Sequence, residues 1–176
     1  DIDYKKRFDH FYQKSENRDI TAAISHATVT TAHDLNAAAI VTVTKSGTTA
    51  RMISKFRPYT QIVGATTSDK VYRQLVLSWG VFPVKCDEKK NTDALFDHAV
   101  EVSKKANVLK RGDIAVITAG IPLGISGTTN MLKVHLVGDI LASGTTVVGS
   151  GIACGSLCVC NTEDEAIEKF RDGDIL

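Results

Sequence analysis

No apolar run in this sequence approaches the roughly 20 residues that span a bilayer. Charge of neither sign dominates: 21 Lys and Arg stand against 20 Asp and Glu, for a net charge of +1. The first absence argues against a membrane-spanning helix. The second argues against a basic footprint for nucleic acid or an anionic lipid surface. The opening stretch, DIDYKKRFDHFYQK, has no apolar centre of the kind a signal peptide needs. A soluble, cytoplasmic protein is the expectation. Cysteine is sparse, with Cys86, Cys154, Cys158 and Cys160 only. A chain that is 43% hydrophobic can build its own core without disulfide staples. The C-x3-C-x-C spacing of the last three matches no standard zinc pattern. They read as buried free thiols, with Cys158 and Cys160 on one face of a strand by the period-two rule.

Catalytic constellations are equally scarce. The five histidines (His10, His26, His33, His98 and His135) are scattered without paired ligand spacing, and no serine or cysteine sits in a nucleophile motif. Acidic groups such as Asp87-Glu88 and Glu163-Asp164-Glu165 read as solvated faces and helix-start charges. No catalytic residue and no metal site is expected.

What the sequence does hold is alternation. Residues 3–15 have helical spacing through Tyr4, Phe8, Phe11 and Tyr12. Asp19 caps a second helix with Ile20, Ala23, Ile24 and Ala27 as its apolar stripe, closed by Asn36 in the left-handed conformation. The run 37–44, AAAIVTVT, is a strand covered on both faces. Further strands are expected at 61–65, 81–84 and 114–118, with helices between them. The helix before Pro58 turns Met52, Ile53 and Phe56 inward, and the next uses Val71 and Leu75. The one capped by Asn91 or Thr92 uses Leu95, Ala99, Val102 and Ala106. MLKVHLV then alternates, with Leu132, Val134 and Leu136 on one side and Lys133 and His135 on the other. The loop before it is too short for a crossover helix, so this strand is an antiparallel edge.

The fold class is therefore α/β: a three-layer, mostly parallel sheet with helices on both faces, an antiparallel edge strand and a truncated β-rich tail. Both ends fall inside expected structure, so the chain reads as a piece of a longer protein. Residues 1–18 form a terminal helix and connector, 19–137 the α/β domain, and 138–176 a linker and the opening of a further module.

Two loops leave the carboxyl ends of parallel strands, where open α/β sheets bind ligands. The first is Thr44-Lys45-Ser46-Gly47-Thr48-Thr49, in which hydroxyls, a lysine and a glycine meet a helix N-terminus, a place suited to an anion. It lacks the G-x4-G-K-[ST] nucleotide pattern. Its bland reading is an ordinary capped βα turn. The second runs from Gly120 to Asn130, with Gly124, Ser126, Gly127 and Thr128 offering close backbone approach and hydroxyl donors. Its bland reading is a connector to the edge strand. Together they form a phosphate cradle.

These residues also resemble a known family. Asp19–Ala27, Thr44–Pro58, Trp79-Gly80-Val81-Phe82-Pro83 and the ending from Gly120 to Val134 look like the carboxy-terminal domain of pyruvate kinase. Residues 1–18 resemble the last helix of the family's catalytic barrel. Those from about 145 resemble the start of the phosphoenolpyruvate-utilising tail of some bacterial members. The resemblance implies a parent reaction in which phosphoenolpyruvate transfers its phosphoryl group to ADP, giving pyruvate and ATP with magnesium and potassium. The ions and catalytic lysine would lie in the barrel, so this piece alone is expected to be inactive and to hold no cofactor.

It also implies a homotetramer contact and a phosphorylated effector held by Thr44, Lys45, Ser46, Gly47 and Thr49 under Gly124 and Gly127. Members activated by fructose 1,6-bisphosphate have a tryptophan and an arginine where this chain has Ile121 and Pro122. Leu95 stands where an arginine would reach the second phosphate. A bisphosphate thus lacks cationic partners, and a monophosphate such as AMP or ribose 5-phosphate is favoured. A purely structural, tetramer-forming domain is the alternative. No histidine follows His135, so a phosphohistidine transfer protein built on the tail is excluded.

Overall fold

The computed structural model describes residues 19–89, 91–121, 129–138 and 155–175. The expected helix over 3–15, the covering loop at 122–128 and the start of the tail lie outside them. The chain divides after Val137 into two units.

The first unit runs α1 (Ile20–Asp34), β1 (Ala39–Val43), α2 (Thr48–Lys55), β2 (Gln61–Thr66), α3 (Asp69–Leu75), β3 (Val81–Lys85), α4 (Thr92–Lys105), β4 (Ile114–Gly120), β5 (Thr129–Leu136). Its five-stranded sheet has the order β3-β2-β1-β4-β5. The first four strands are parallel, and β5 returns antiparallel to β4 with a register shift between Ala119 and Gly120. From β1 the chain winds outward through β2 and β3, then crosses back to lay β4 against the other side of β1.

Helices follow that winding. Val29 and Ala32 of α1 and Ile53 and Phe56 beside α2 pack on Ile40, Ile62 and Val116 of the sheet. The opposite face receives α4, whose Phe96, Ala99 and Val100 pack on Val41, Val63, Ala65 and Ile117. Alternate residues of each central strand thus feed two cores, as expected for strands covered on both sides. Gly64 lets α3 sit close, because a Cβ there would lie 2.7 Å from Leu75 Cδ1 and 3.2 Å from Val81 Cγ1.

Local signals explain the boundaries. Asp19, Ser68 and Asn91 accept hydrogen bonds from Ala22, Val71 and Ala94 amides and cap α1, α3 and α4. Asn36 is left-handed at φ 46° after α1, as its position predicted. Arg57 adopts the same conformation just after α2 and ahead of Pro58.

Three expectations are corrected. The buried face of α1 is Thr21, Ala22, Ser25, Thr28, Val29 and Ala32, while Ile20 is 71% exposed. The small, hydroxyl-rich side turns inward because small side chains allow close approach to the sheet, and Thr28 satisfies its hydroxyl on the Ile24 carbonyl. On α4 the largest buried residue is Phe96, which the expected stripe omitted; Val102 and Ala106 are only partly covered. On β5, Val134 is exposed whereas Lys133 and His135 are half-buried. Lys133 lays its ammonium 5.5 Å from the Phe96 ring centre and pairs with Asp93 at 3.6 Å, so its stem covers the α4 face. Burial and the Lys133 charge lower the His135 pKa.

The second unit is described from Gly155 onward: β6 (Ser156–Leu157), α5 (Glu163–Lys169) and β7 (Asp174–Ile175), with β6 and β7 paired in parallel. Thr162 caps α5 through the Glu165 amide.

Phe96 is fully buried between α4 and the sheet. Phe96→Ala is expected to cost about 3–5 kcal/mol, a cavity in a packed core, read as a lower urea midpoint.

Candidate functional site

The Thr44–Gly47 loop begins where β1 ends, held by the Thr44 amide donating to the Ala65 carbonyl at 2.9 Å. Thr44 turns its hydroxyl inward to accept from the Gly47 amide at 2.9 Å, which curls the loop. Gly47 then starts α2 at φ +77°. An added Cβ there would meet Arg51 Nη1 at 2.7 Å and Val71 Cγ1 at 3.1 Å, so both backbone and space require glycine.

That glycine has an electrostatic consequence. Among the five described helices, α2 alone receives no side-chain cap. Its first amides point out at the positive end of the helix without an internal acceptor. Lys45 is exposed on the same loop, and Ser46 and Thr48 are half-exposed, with their hydroxyls 2.9 Å apart. Arg51 reaches back to donate to the Ser46 carbonyl at 3.0 Å, which braces the loop from behind.

The expected site residues therefore divide by task. Thr44 and Thr49 are buried and shape the loop; Lys45, Ser46 and Thr48 face outward. Thr49 hydrogen-bonds Thr129 side chain to side chain at 2.5 Å, across 80 positions of sequence. That contact brings the first turn of α2 to the first residue of β5. Gly124, Ser126, Gly127 and Thr128 lie outside the described residues. Both ends of their loop are nevertheless placed: Asn130 bridges its neck, accepting from the Ile121 amide at 2.9 Å and donating to the Ile121 carbonyl at 2.7 Å.

Beside the loop lies a cavity of about 340 Å³ at the carboxyl rim of the sheet. Its floor is apolar (Val43, Ala65, Leu95, Ala119), and Thr44, Lys45, Thr66, Glu88 and Lys89 carry its polar groups. It runs along the carboxyl ends of β1, β2, β3 and β4 on the side of the sheet that α4 covers, and takes in the point where the winding direction changes. This is the location at which open α/β sheets form a crevice. Cys86 closes one wall, and burial pushes its thiol up to about 11, so the wall is uncharged at neutral pH.

Sequence reasoning missed Cys86, Glu88 and Lys89, because they enter from the strand after β2 and no local motif marks them. Lys89 adds a cation to the cavity lining besides Lys45. It lies 3.7 Å from the exposed Asp87 carboxylate and has Glu88 as its chain neighbour. Leu95 does stand in the cavity wall, where it offers only apolar surface. Among the described residues, no group of three or more His, Cys, Asp or Glu is placed to hold a metal ion. No described helix is long and apolar enough to cross a membrane.

Comparison with known proteins matches this architecture. Residues 22–135 fit the family model described as pyruvate kinase, alpha/beta domain. Pyruvate kinase of Lactobacillus delbrueckii subsp. bulgaricus is 41% identical over 165 residues, 94% of this chain and 28% of that protein. Pyruvate kinase of Geobacillus stearothermophilus is 41% identical over 163 residues, again with 28% of its length covered. A solved pyruvate kinase from Cryptosporidium parvum superposes with a TM-score of 0.70 at 28% identity, covering 78% of this chain and 27% of that one. The chain thus spans just over a quarter of the relatives it matches. A parallel sheet ending in an antiparallel edge, the uncapped glycine-started α2 and these likenesses agree: the chain belongs to the pyruvate kinase family, and residues 22–135 are that family's alpha/beta domain.

Proposed function

We propose that this domain is the regulatory and subunit-contacting part of a pyruvate kinase, and that it holds a phosphorylated small molecule at the carboxyl rim of its sheet. The parent reaction is phosphoryl transfer from phosphoenolpyruvate to ADP. The catalytic barrel, with its magnesium and potassium, belongs to the portion of the relatives that this chain does not span.

The observation that carries the effector reading is the start of α2. Its amides lack a side-chain cap, Gly47 starts the helix in a left-handed conformation, and Lys45 and two hydroxyls stand on the same loop beside the cavity. A phosphate there would complete the helix as its missing cap. The cavity continues over an apolar floor, and its second cation, Lys89, pairs with Asp87. That pairing fits a monophosphate, AMP or ribose 5-phosphate, better than fructose 1,6-bisphosphate. Binding regulates the distant active centre only insofar as one arrangement of the homotetramer holds the ligand more tightly, by about 1–3 kcal/mol in typical cases.

The alternative, a domain that only assembles the tetramer, draws on a separate observation. β5 ends the sheet, with no further strand paired to its outer side among the described residues and with Val134 44% exposed.

Calorimetric titration with AMP, ribose 5-phosphate and fructose 1,6-bisphosphate separates the readings. Saturable heat from a monophosphate supports regulation, and silence from all three supports assembly alone. In the first case Lys45→Glu is expected to weaken monophosphate binding by at least about tenfold while leaving the thermal midpoint in place, because a charged hydrogen bond is worth about 1.5–3 kcal/mol. Unchanged affinity would mean that the phosphate sits elsewhere. Gly47→Ala is expected to lose about 1–2 kcal/mol of stability, since alanine is forced left-handed and crowds Arg51, and to lower affinity as well.

A further inference from the structure

The second unit carries a side-chain cluster that the effector reading does not use. Cys158 and Cys160 bring their sulfurs to 3.5 Å. Both are free thiols, and both are only half-buried, which corrects the expectation of buried thiols; Cys86 alone among the described cysteines fits it. The intervening Val159 projects the other way and is 70% exposed. Backbone pairing fixes the arrangement. Cys158 extends the β6–β7 ladder by donating its amide to the Ile175 carbonyl at 2.8 Å, and period-two geometry puts the next-but-one side chain on the same side.

We propose that Cys158 and Cys160 form a dithiol modification site that closes to a disulfide by exchange with a low-molecular-weight disulfide. Two residues of extended chain span about 6.4–6.8 Å, at the upper end of the roughly 4.4–6.8 Å between α-carbons that a disulfide bridges. The sulfurs need approach by about 1.5 Å to reach bonding distance, within reach of side-chain rotation. No third metal-ligating group joins the pair among the described residues, which favours exchange over metal capture.

The chemistry balances without any further reagent. The thiolate of one cysteine attacks a sulfur of the small disulfide, forming a mixed disulfide and releasing one small thiolate. The other cysteine loses its proton and attacks the protein-bound sulfur. The Cys158–Cys160 bond forms and the second small thiolate leaves. Two electrons pass from the protein to the small disulfide and two protons pass to solvent. The hydrogen bond it shares with Cys160 holds the Cys158 thiol above the ordinary range. A bridge at the limit of backbone reach is strained, and strained exposed disulfides are the easily reduced kind.

The test exposes the full chain to oxidised glutathione, quenches with acid, counts thiols after denaturation and maps cysteines by peptide mass. Thiols are expected to fall from four to two per chain, with the peptide bearing Cys158 and Cys160 two hydrogens lighter and no glutathione retained. A dithiol reductant restores all four. Cys158→Ser and Cys160→Ser should each hold one glutathione at the remaining cysteine, since no partner displaces it. An unchanged thiol count, a stable glutathione adduct on the unmutated pair, or a bridge mapped to Cys86 or Cys154 would overturn the proposal.

Discussion

The reversal of winding between β1 and β4 is the constraint from which the site follows. Parallel neighbours demand crossover helices, and right-handed crossovers put α2 and α3 on one face while the chain proceeds outward. Once it turns back to the other side of β1, α4 must lie on the opposite face. Loops leaving β1 and β4 at the carboxyl rim therefore diverge, and a gap opens between them. The cavity takes in that gap, with Val43 and Thr44 on one side and Ala119 and Gly120 on the other, and continues past Ala65, Thr66, Cys86, Glu88 and Lys89 at the ends of β2 and β3. No special residue creates the opening. Sequence decides only what lines it, and here it supplies a helix start stripped of its cap.

Burial on both faces is what keeps this rim in place. Ile40, Ile62 and Val116 look toward α1 and α2, while Val41, Val63 and Ile117 look toward α4. Neither core is large, and the α1 side is unusually rich in hydroxyls. On that side Thr28 donates to the Ile24 carbonyl at 2.7 Å and Thr42 to the Val63 carbonyl at 3.0 Å. Ser25 and Thr118 are buried without a hydrogen-bond partner among the described residues. Buried hydroxyls of this kind commonly hold an ordered water.

Much of this was legible before any coordinates. The β-branched run before Lys45 marks a central strand, Asp19 and Asn91 mark helix starts, and the short loop after Gly120 fixes the direction of β5. These signals are local, and local signals survive folding. What failed was rotational: apolar residues on α1 suggested one face, yet tight packing favoured the side with Ser25 and Thr28, whose small side chains bring the helix nearer the sheet. Lys133 failed for a related reason, since its stem behaves as an apolar residue over Phe96. The cavity's Cys86, Glu88 and Lys89 and the Thr49–Thr129 contact were beyond reach because each depends on segments far apart in sequence. The thiol pair was half legible: period two placed Cys158 and Cys160 on one side, but nothing in the sequence reported how much solvent they meet.

The hydroxyl bridge between Thr49 and Thr129 has a mechanical meaning. It ties the opening turn of α2 to the strand at the border of the sheet, so these two parts cannot shift independently without breaking a buried polar contact. The loop that carries Lys45 and the outermost strand therefore meet at one buried polar contact. Two hydroxyls thus hold the start of α2 and the border of the sheet at a fixed spacing.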